Sequence, residues 1–299
     1  QVAVKIAEKY WCDVVAHGCT WKWNDQVRFE WYITTLNPKL KTIAPVREWS
    51  MWRNEQIEYE KKHWIPVKQK QDKPYSYDEN MWGNTGEGWE IEKPELTPKF
   101  SNILQWCKTI EKSKNEAEEV NIWFINGVPI SINWEKKKLS EIIYELNNIW
   151  ASHWIGVFPL IEDRFVGLKV RGVYENPWAT ILIKAHKNLE QLVSTREENE
   201  LKTLIDTKWS YLTYAAKWFD PVMKNILSYI DEQNQKVTGN VTLKLYKWNV
   251  IVENLNSKYS LFDENLATFN KCMDFNQNSS AWFIEIYNLA QKTAYNAWK

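Results

Sequence analysis

Asp13-Val14-Val15-Ala16-His17-Gly18-Cys19-Thr20-Trp21-Lys22-Trp23-Asn24-Asp25-Gln26-Val27-Arg28-Phe29-Glu30 is the stretch on which the reading of the fold turns. Residues 13–16 read as a short buried strand, and helical periodicity runs from about 24 to 36. Between them lies a polar turn. In open α/β sheets such strand-to-helix junctions bind ligands, because the free N–H groups of the first helical turn face outward at the carboxyl ends of the strands. The plainer reading is a solvated helix start capped by Asn24 or Asp25, and composition alone favours it. Were Trp21 and Trp23 glycines, the turn would be Thr-Gly-Lys-Gly-Asn-Asp, bare enough for a phosphate or an amino acid to approach the backbone closely.

Working outward, a helix over 2–10 precedes this stretch, and a strand over 42–45 and a helix over 54–63 follow it. The alternation predicts part of a parallel α/β sheet, and because it starts in mid-pattern, further strands are expected upstream of Gln1. Residues 66–99 hold few apolar periodic runs and carry Pro66, Pro74, Pro94 and Pro98, so they read as a long connecting loop, of a length that is often functional inside a compact protein. Beyond Val120 come a hairpin over 121–133 and a helix over 139–153 with Ser140 as N-cap. Strands are expected over 164–174, 179–185, 239–252 and 282–287, and helices over 187–204, 208–213 and 221–236. That pattern predicts an α+β domain with an antiparallel sheet. Residues 289–298 read as a last helix, packed on the body or on another subunit.

The bulk numbers exclude several classes. A chain of 299 residues is long enough for two domains, and 38 basic residues against 38 acidic ones argue against a nucleic-acid partner. No apolar run reaches bilayer-spanning length, and no signal peptide is visible. Cys12, Cys19, Cys107 and Cys272 form no CxxC pair, which fits a reducing cytosol. His17 alone reads as a structural histidine, and His63, His153 and His186 show no ligand spacing, so no zinc site is expected. GxSxG, HExxH and Walker-type motifs are missing, and residues 196–200 read as a solvated acidic helix face.

Twenty tryptophans against nine glycines invert the usual order. Their places matter more than their number. Trp248 and Trp134 follow Lys247 and Asn133 at hairpin breaks, where glycine or asparagine at positive φ is wanted. Trp64 and Trp154 each follow a histidine at a helix end, the place of a glycine cap. A tryptophan-rich surface for carbohydrate or protein is the alternative, and it would create the exposed apolar patches that soluble monomers avoid.

The motif from His17 to Glu30 resembles the signature of the argininosuccinate synthase family, with glycine expected at positions 21 and 23. Collinear similarity continues through Ile43-Ala44-Pro45, Arg47-Glu48-Trp49, Lys73-Pro74-Tyr75-Ser76-x-Asp78-Glu79-Asn80 and Asn126-Gly127-Val128-Pro129. It extends to Arg164-Phe165-Val166-Gly167-x-Lys169-x-Arg171-Gly172-Val173-Tyr174-Glu175, Thr180-Ile181-Leu182, Val237-Thr238-Gly239, Tyr259-Ser260-Leu261 and Phe283-Ile284. The resemblance implies an α/β, partial ATP-pyrophosphatase-type (Rossmann-like) parallel sheet domain plus an α+β synthetase and oligomerisation domain with an antiparallel sheet and a C-terminal helix. It places the C-terminal part of the nucleotide-binding domain at 1–67, the synthetase and multimerisation domain at 68–285, and an oligomerisation helix at 286–299.

The implied reaction is an ATP-dependent ligation in arginine biosynthesis. The ureido oxygen of L-citrulline attacks the α-phosphorus of ATP to give citrullyl-AMP and pyrophosphate, and the amine of L-aspartate then displaces AMP. Carried over by resemblance, Gly18 lies on the ATP side, and Thr20, Asn24 and Asp25 contact aspartate. Asn24, Arg28, Ser76, Thr85, Glu162 and Tyr174 contact citrulline, Glu162 suiting an α-ammonium and Arg28 a carboxylate. Magnesium is expected to accompany ATP, with no protein-bound metal site. A cytoplasmic homotetramer is implied, without membrane or nucleic-acid partners.

Departures from the family pattern shape the expectations. Its Ser-Gly-Gly-x-Asp-x-Ser pyrophosphate loop has no counterpart in these residues, so the chain by itself is expected to be inactive, and an inert assembly module is the alternative function. Thr85 replaces serine with the hydroxyl retained, and Val170 replaces a serine. Trp11, Trp21, Trp23, Trp52, Trp64, Trp89, Trp134, Trp154, Trp178, Trp248 and Trp282 stand where the family has glycine, whereas Trp49, Trp82 and Trp218 match family tryptophans. The expected explanation is UGA codons, which some bacterial lineages read as glycine and another code reads as tryptophan.

Overall fold

Helices α1 (Val2–Lys9) and α2 (Asn24–Leu36) alternate with strands β1 (Val14–Ala16) and β2 (Lys41–Ile43), as the periodicity predicts. A short helix α3 (Pro45–Trp49), which takes in the last residue of the expected strand, precedes the expected helix α4 (Arg53–His63). The computed structural model describes residues 1–20, 23–49, 53–65, 75–267 and 276–299. Trp21, Lys22, Trp52, Pro66, Lys73, Pro74 and Cys272 lie outside the described residues. Strands β1 and β2 pair in parallel, with Val15 opposite Thr42, and α2 lies in the connection between them, as parallel pairing requires. Val4 and Ala7 of α1, Ile33 of α2 and Leu40 form a small core. The expected burial of β1 does not hold, since Val14 is 40% exposed. Among the described residues β2 is its only sheet partner, so neighbours that would cover it are few.

The further strands are β3 (Ser76–Glu79), β4 (Asn84–Glu87), β5 (Glu118–Ile125), β6 (Val128–Ile132), β7 (Glu135–Lys136), β8 (Val157–Asp163), β9 (Lys169–Glu175), β10 (Gly239–Tyr246) and β11 (Asn249–Asn256). They form two antiparallel sheets, ordered β3-β4-β9-β8 and β11-β10-β5-β6-β7. Helices α5 (Phe100–Ile103), α6 (Leu139–Trp150), α7 (Pro177–Val193), α8 (Arg196–Tyr214) and α9 (Pro221–Asn234) accompany them. Period-two residues Val120, Ile122 and Phe124 of β5 and Val241, Leu243 and Leu245 of β10 form the main core. They share it with Ile142 and Leu146 of α6 and with Ile181, Leu182, Ala185 and Leu189 of α7.

Several expectations are corrected. The described part of the expected 66–99 loop contains β3 and β4, which are short and polar and so carry no apolar alternation. Residues 179–185 are helical within α7, because their β-branched run is also one buried helical stripe. The helix expected over 187–204 breaks at Ser194, and the one expected over 208–213 is the end of α8. The break is made by a capping box: Thr195 accepts from the Glu198 N–H while the Glu198 carboxylate accepts from the Thr195 N–H. Residues 164–174 hold a turn before β9, with Gly167 at φ +86.

Glu175, only 1% exposed, joins the four-stranded sheet to the chain that follows α5. Its carboxylate accepts from Asn84 Nδ2 at 2.9 Å and from the backbone N–H groups of Gln105 (2.9 Å), Trp106 (2.8 Å) and Cys107 (2.7 Å). Burial, and then this carboxylate, push the Cys107 thiol pKa up. Glu175→Ala is therefore expected to cost about 3 kcal/mol, because buried donors lose their acceptor together. Urea unfolding checks it: a lower midpoint at unchanged slope is expected, and an unchanged midpoint would show that the carboxylate contributes nothing.

The backbone also answers the question raised by the tryptophans. Trp11 (φ +57), Trp64 (+56), Trp89 (+50), Trp134 (+69), Trp154 (+57) and Trp248 (+72) all sit in the left-handed region. The β5–β6 hairpin turns on Asn126 and Gly127 at φ +49 and +75, the arrangement of a type I′ turn. Asn133-Trp134 and Lys247-Trp248 also have positive φ at both residues and likewise join paired strands, with tryptophan in the position that Gly127 occupies. Trp11 closes α1 as a Schellman cap, with Cys12 N–H donating to Ala7 O at 2.9 Å, and Trp64 closes α4 with Ile65 N–H donating to Glu60 O at 3.1 Å. A bulky residue in this region carries strain of about 1–3 kcal/mol. Trp23, at φ −110, is extended, and Trp178 and Trp282 lie inside helices, so their backbones do not call for glycine.

Residues 260–299 form a second compact unit. Its described helices are α10 (Glu264–Ala267), α11 (Ser279–Tyr287) and α12 (Leu289–Ala297). The strand expected over 282–287 is thus helical, with Phe283 stacked on Tyr287 one turn later, and the expected last helix is present. Trp282, Phe283, Ile284 and Ile286 are exposed within the chain. Among the described residues no helix is long and apolar enough to cross a membrane.

Candidate functional site

Register gathers one set of expected residues. Directly opposed residues of an antiparallel pair point to the same face. Ser76 opposes Glu87 and Asp78 opposes Thr85; Thr85 opposes Tyr174; and Glu162 opposes Val170, which lies on the same side of β9 as Tyr174. Ser76, Thr85, Glu162 and Tyr174 therefore share one face with Asp78 and Glu87. The other face carries Val173, buried with Ile91 and Ile103. Gly172 lies among the site residues, where an added Cβ would meet the Tyr174 ring at 3.2 Å and Thr85 Cγ2 at 3.4 Å.

Tyr174 donates its hydroxyl to Glu162 Oε2 at 2.9 Å, and burial followed by the Glu162 charge pushes its pKa up. Glu87 pairs with the buried Arg164 at 3.1 Å. Burial nevertheless outweighs that pairing and, with Asp78 and Glu162 nearby, raises the Glu87 pKa from 4.5 to about 7. A raised carboxyl pKa favours the folded state at low pH. That contribution is lost as pH rises from the unfolded value through the folded one. Relative to Glu87→Gln, stability is thus expected to fall between pH 4.5 and about 7. Parallel urea curves for the two proteins across that range would disprove it.

The second set lies at the β1–α2 junction. A Cβ placed on Gly18 meets nothing within 4 Å, and its φ is not left-handed. The Thr20 hydroxyl is buried and has no hydrogen-bond partner among the described residues. Asn24 is buried at the first turn of α2, with Nδ2 donating to the Tyr214 hydroxyl at 2.7 Å and Oδ1 accepting from the Phe165 N–H at 2.6 Å. Arg28 Nε donates to the Tyr214 carbonyl at 3.2 Å, and its Nη1 lies 3.3 Å from Asp25 Oδ1. His17 accepts the Cys19 N–H at Nδ1 and places Nε2 3.1 Å from Glu30, which fits the structural reading. That network implies the Nε2–H tautomer.

The turn between β8 and β9 unites the two sets: it begins beside Glu162 and binds Asn24 through Phe165. Arg164 lies with its guanidinium 3.5 Å from the Trp23 ring centre and its Nη2 on Glu87. Glu87 stands near Asp78, Glu162 and Arg164, while Arg28 lies at the β1–α2 junction against Tyr214. Together these side chains offer acidic and guanidinium groups of the kind that suit zwitterionic amino acids. Sequence reasoning did not assign roles to Glu87, Arg164 or Tyr214. Arg164 opens a family-like block, but nothing local singles out Tyr214, 190 positions from its partner Asn24.

Comparison with known proteins matches two profiles. "Arginosuccinate synthase N-terminal HUP domain" covers residues 1–66, and "Arginosuccinate synthase C-terminal domain" covers 75–294. Among similar proteins, the argininosuccinate synthase of Pyrococcus furiosus is 44% identical over 293 residues, 98% of this chain and 70% of its own length. That of Clostridium perfringens strain 13 is 41% identical over 287 residues, 96% of this chain and 71% of its own length. That of Staphylococcus saprophyticus is 43% identical over 289 residues, covering 97% and 72% respectively.

Proposed function

This chain belongs to the argininosuccinate synthase family, and from that premise we propose that it carries the amino-acid-binding part of an ATP-dependent ligase joining L-citrulline to L-aspartate. The observation that carries this reading is the single sheet face bearing Ser76, Thr85, Glu162 and Tyr174, with Asn24 tied to its adjoining turn. Citrulline is held by its α-ammonium at Glu162 and by its carboxylate at Arg28, with Ser76, Thr85, Asn24 and Tyr174 supplying hydrogen bonds. Aspartate is held by Thr20, Asn24 and Asp25, and the spare Thr20 hydroxyl supports that assignment. ATP enters as substrate with its magnesium ion on the Gly18 side. The reaction proceeds through citrullyl-AMP with release of pyrophosphate. Charge stabilisation and alignment, rather than a protein nucleophile, supply the acceleration.

The test is pyrophosphate release by the protein as its gene encodes it, supplied with ATP, magnesium and each amino acid in turn. Citrulline-dependent release, with argininosuccinate formed once aspartate is added, supports the reading. Release that ignores citrulline sinks it. Gly18→Ala sharpens the test: the fold has room for the methyl group, so an unchanged thermal midpoint is expected with a KM for ATP raised about tenfold. An unchanged KM removes Gly18 from the nucleotide side.

The exposed apolar residues of α11 favour self-association, and a homotetramer is the proposed state. Light scattering tests it. Association without any citrulline-dependent turnover would instead support the inert assembly module.

A further inference from the structure

Tyr214 is the last residue of α8, and three of its parts meet the candidate site. Its hydroxyl donates to the Asp163 carbonyl at 3.0 Å. Having one proton, it accepts from Asn24 Nδ2 at 2.7 Å. With the Phe165 N–H on Oδ1, this fixes the orientation of the Asn24 amide from both ends. A flipped amide would set an NH2 against the Phe165 N–H. Its backbone carbonyl accepts from Arg28 Nε, and its ring lies 5.0 Å from the Arg28 guanidinium. The helix end adds partial negative charge beside that cation. The chain turns away at once, through Ala216 at φ +58, with Lys217 N–H donating to Leu212 O at 2.8 Å. Burial raises the Tyr214 pKa, which keeps the hydroxyl protonated near neutrality.

We propose that Tyr214 is a positioning residue of the ligase: it sets Asn24 and Arg28 in the geometry that holds the two amino-acid substrates, without touching either substrate itself. The inference rests on the ligase reading above and assigns α8 the task of aligning the helix start with the sheet face. Hydroxyl and ring have separable consequences. Tyr214→Phe removes the tie to Asn24 but keeps the ring and the carbonyl at Arg28. Tyr214→Leu removes the ring as well.

Steady-state kinetics on the protein as its gene encodes it provides the test, with each substrate varied in turn. In Tyr214→Phe the KM for aspartate is expected to rise about tenfold with the KM for ATP unchanged, while the thermal midpoint falls by only about 2–4 °C for the hydroxyl's lost hydrogen bonds. In Tyr214→Leu the KM for citrulline is expected to rise further than in Tyr214→Phe, because Arg28 loses its platform. Tyr211→Phe, one turn earlier on α8, is the control and should leave all three KM values unchanged. Unaltered amino-acid KM values in an otherwise active Tyr214→Phe variant would overturn the proposal, as would an equal rise for all three substrates accompanied by lost stability. A parent protein that releases no pyrophosphate overturns the ligase reading and, with it, this role.

Discussion

Replacing Trp11, Trp64, Trp89, Trp134, Trp154 and Trp248 together with glycine is expected to raise stability by several kcal/mol. Each of these residues has a left-handed φ. There a side chain costs about 1–3 kcal/mol, and glycine returns part of that gain through its larger loss of backbone freedom, leaving about 1 kcal/mol per site. Little is lost with the rings: Trp11 is 93% exposed and Trp64 92%. Trp154 and Trp89 gain less, because Trp154 packs edge-on against Phe100 at 5.2 Å and Trp89 lies 6.4 Å from Tyr75. Against a typical total of roughly 5–15 kcal/mol the summed effect is large. Urea midpoints measure it, with Trp82→Gly as the opposite case, since Trp82 stacks on Trp178 at 5.0 Å and should destabilise when removed. The gene offers an independent check. UGA is expected at the left-handed positions and UGG at Trp49, Trp82 and Trp218, while UGG throughout would end the codon reading.

The second large effect is expected at Glu162. Its carboxylate accepts from Tyr174 and stands on the face that also bears Thr85 and Glu87. Glu162→Gln keeps the size and one acceptor but removes the charge that would pair with the α-ammonium of citrulline. Loss of a charge-assisted contact predicts a fall of about a hundredfold in kcat/KM for citrulline. The KM for ATP should move by less than about threefold, which separates lost citrulline binding from general damage. Retention of wild-type kcat/KM would remove Glu162 from the site.

Much of this site is legible in the order of residues alone. The β1–α2 junction combines an apolar strand, a polar turn and a periodic helix, and the strand and the helix lie within a residue or so of their expected bounds. The left-handed turns are legible at Trp64, Trp134, Trp154 and Trp248 because turn chemistry is local. Strands β3 and β4 are not legible. Ser-Tyr-Asp-Glu and Asn-Thr-Gly-Glu offer no apolar alternation, and their pairing depends on β9, about ninety residues further along the chain. Residues 179–185 fit a strand and a helix equally by local pattern, and contact with the five-stranded sheet settles the choice.

By itself the sequence determined the alternation of helices and strands at the N-terminal end, the chemistry of each turn, and the residue types available to bind two amino acids. Those properties depend on neighbours a few positions apart. Which candidates meet was decided by tertiary structure alone: strand register set Thr85 beside Tyr174, and the end of α8 reached Asn24 and Arg28. Such contacts join residues far apart in the chain, and their formation rests on cooperative packing of whole sheets and helices, which no local pattern encodes.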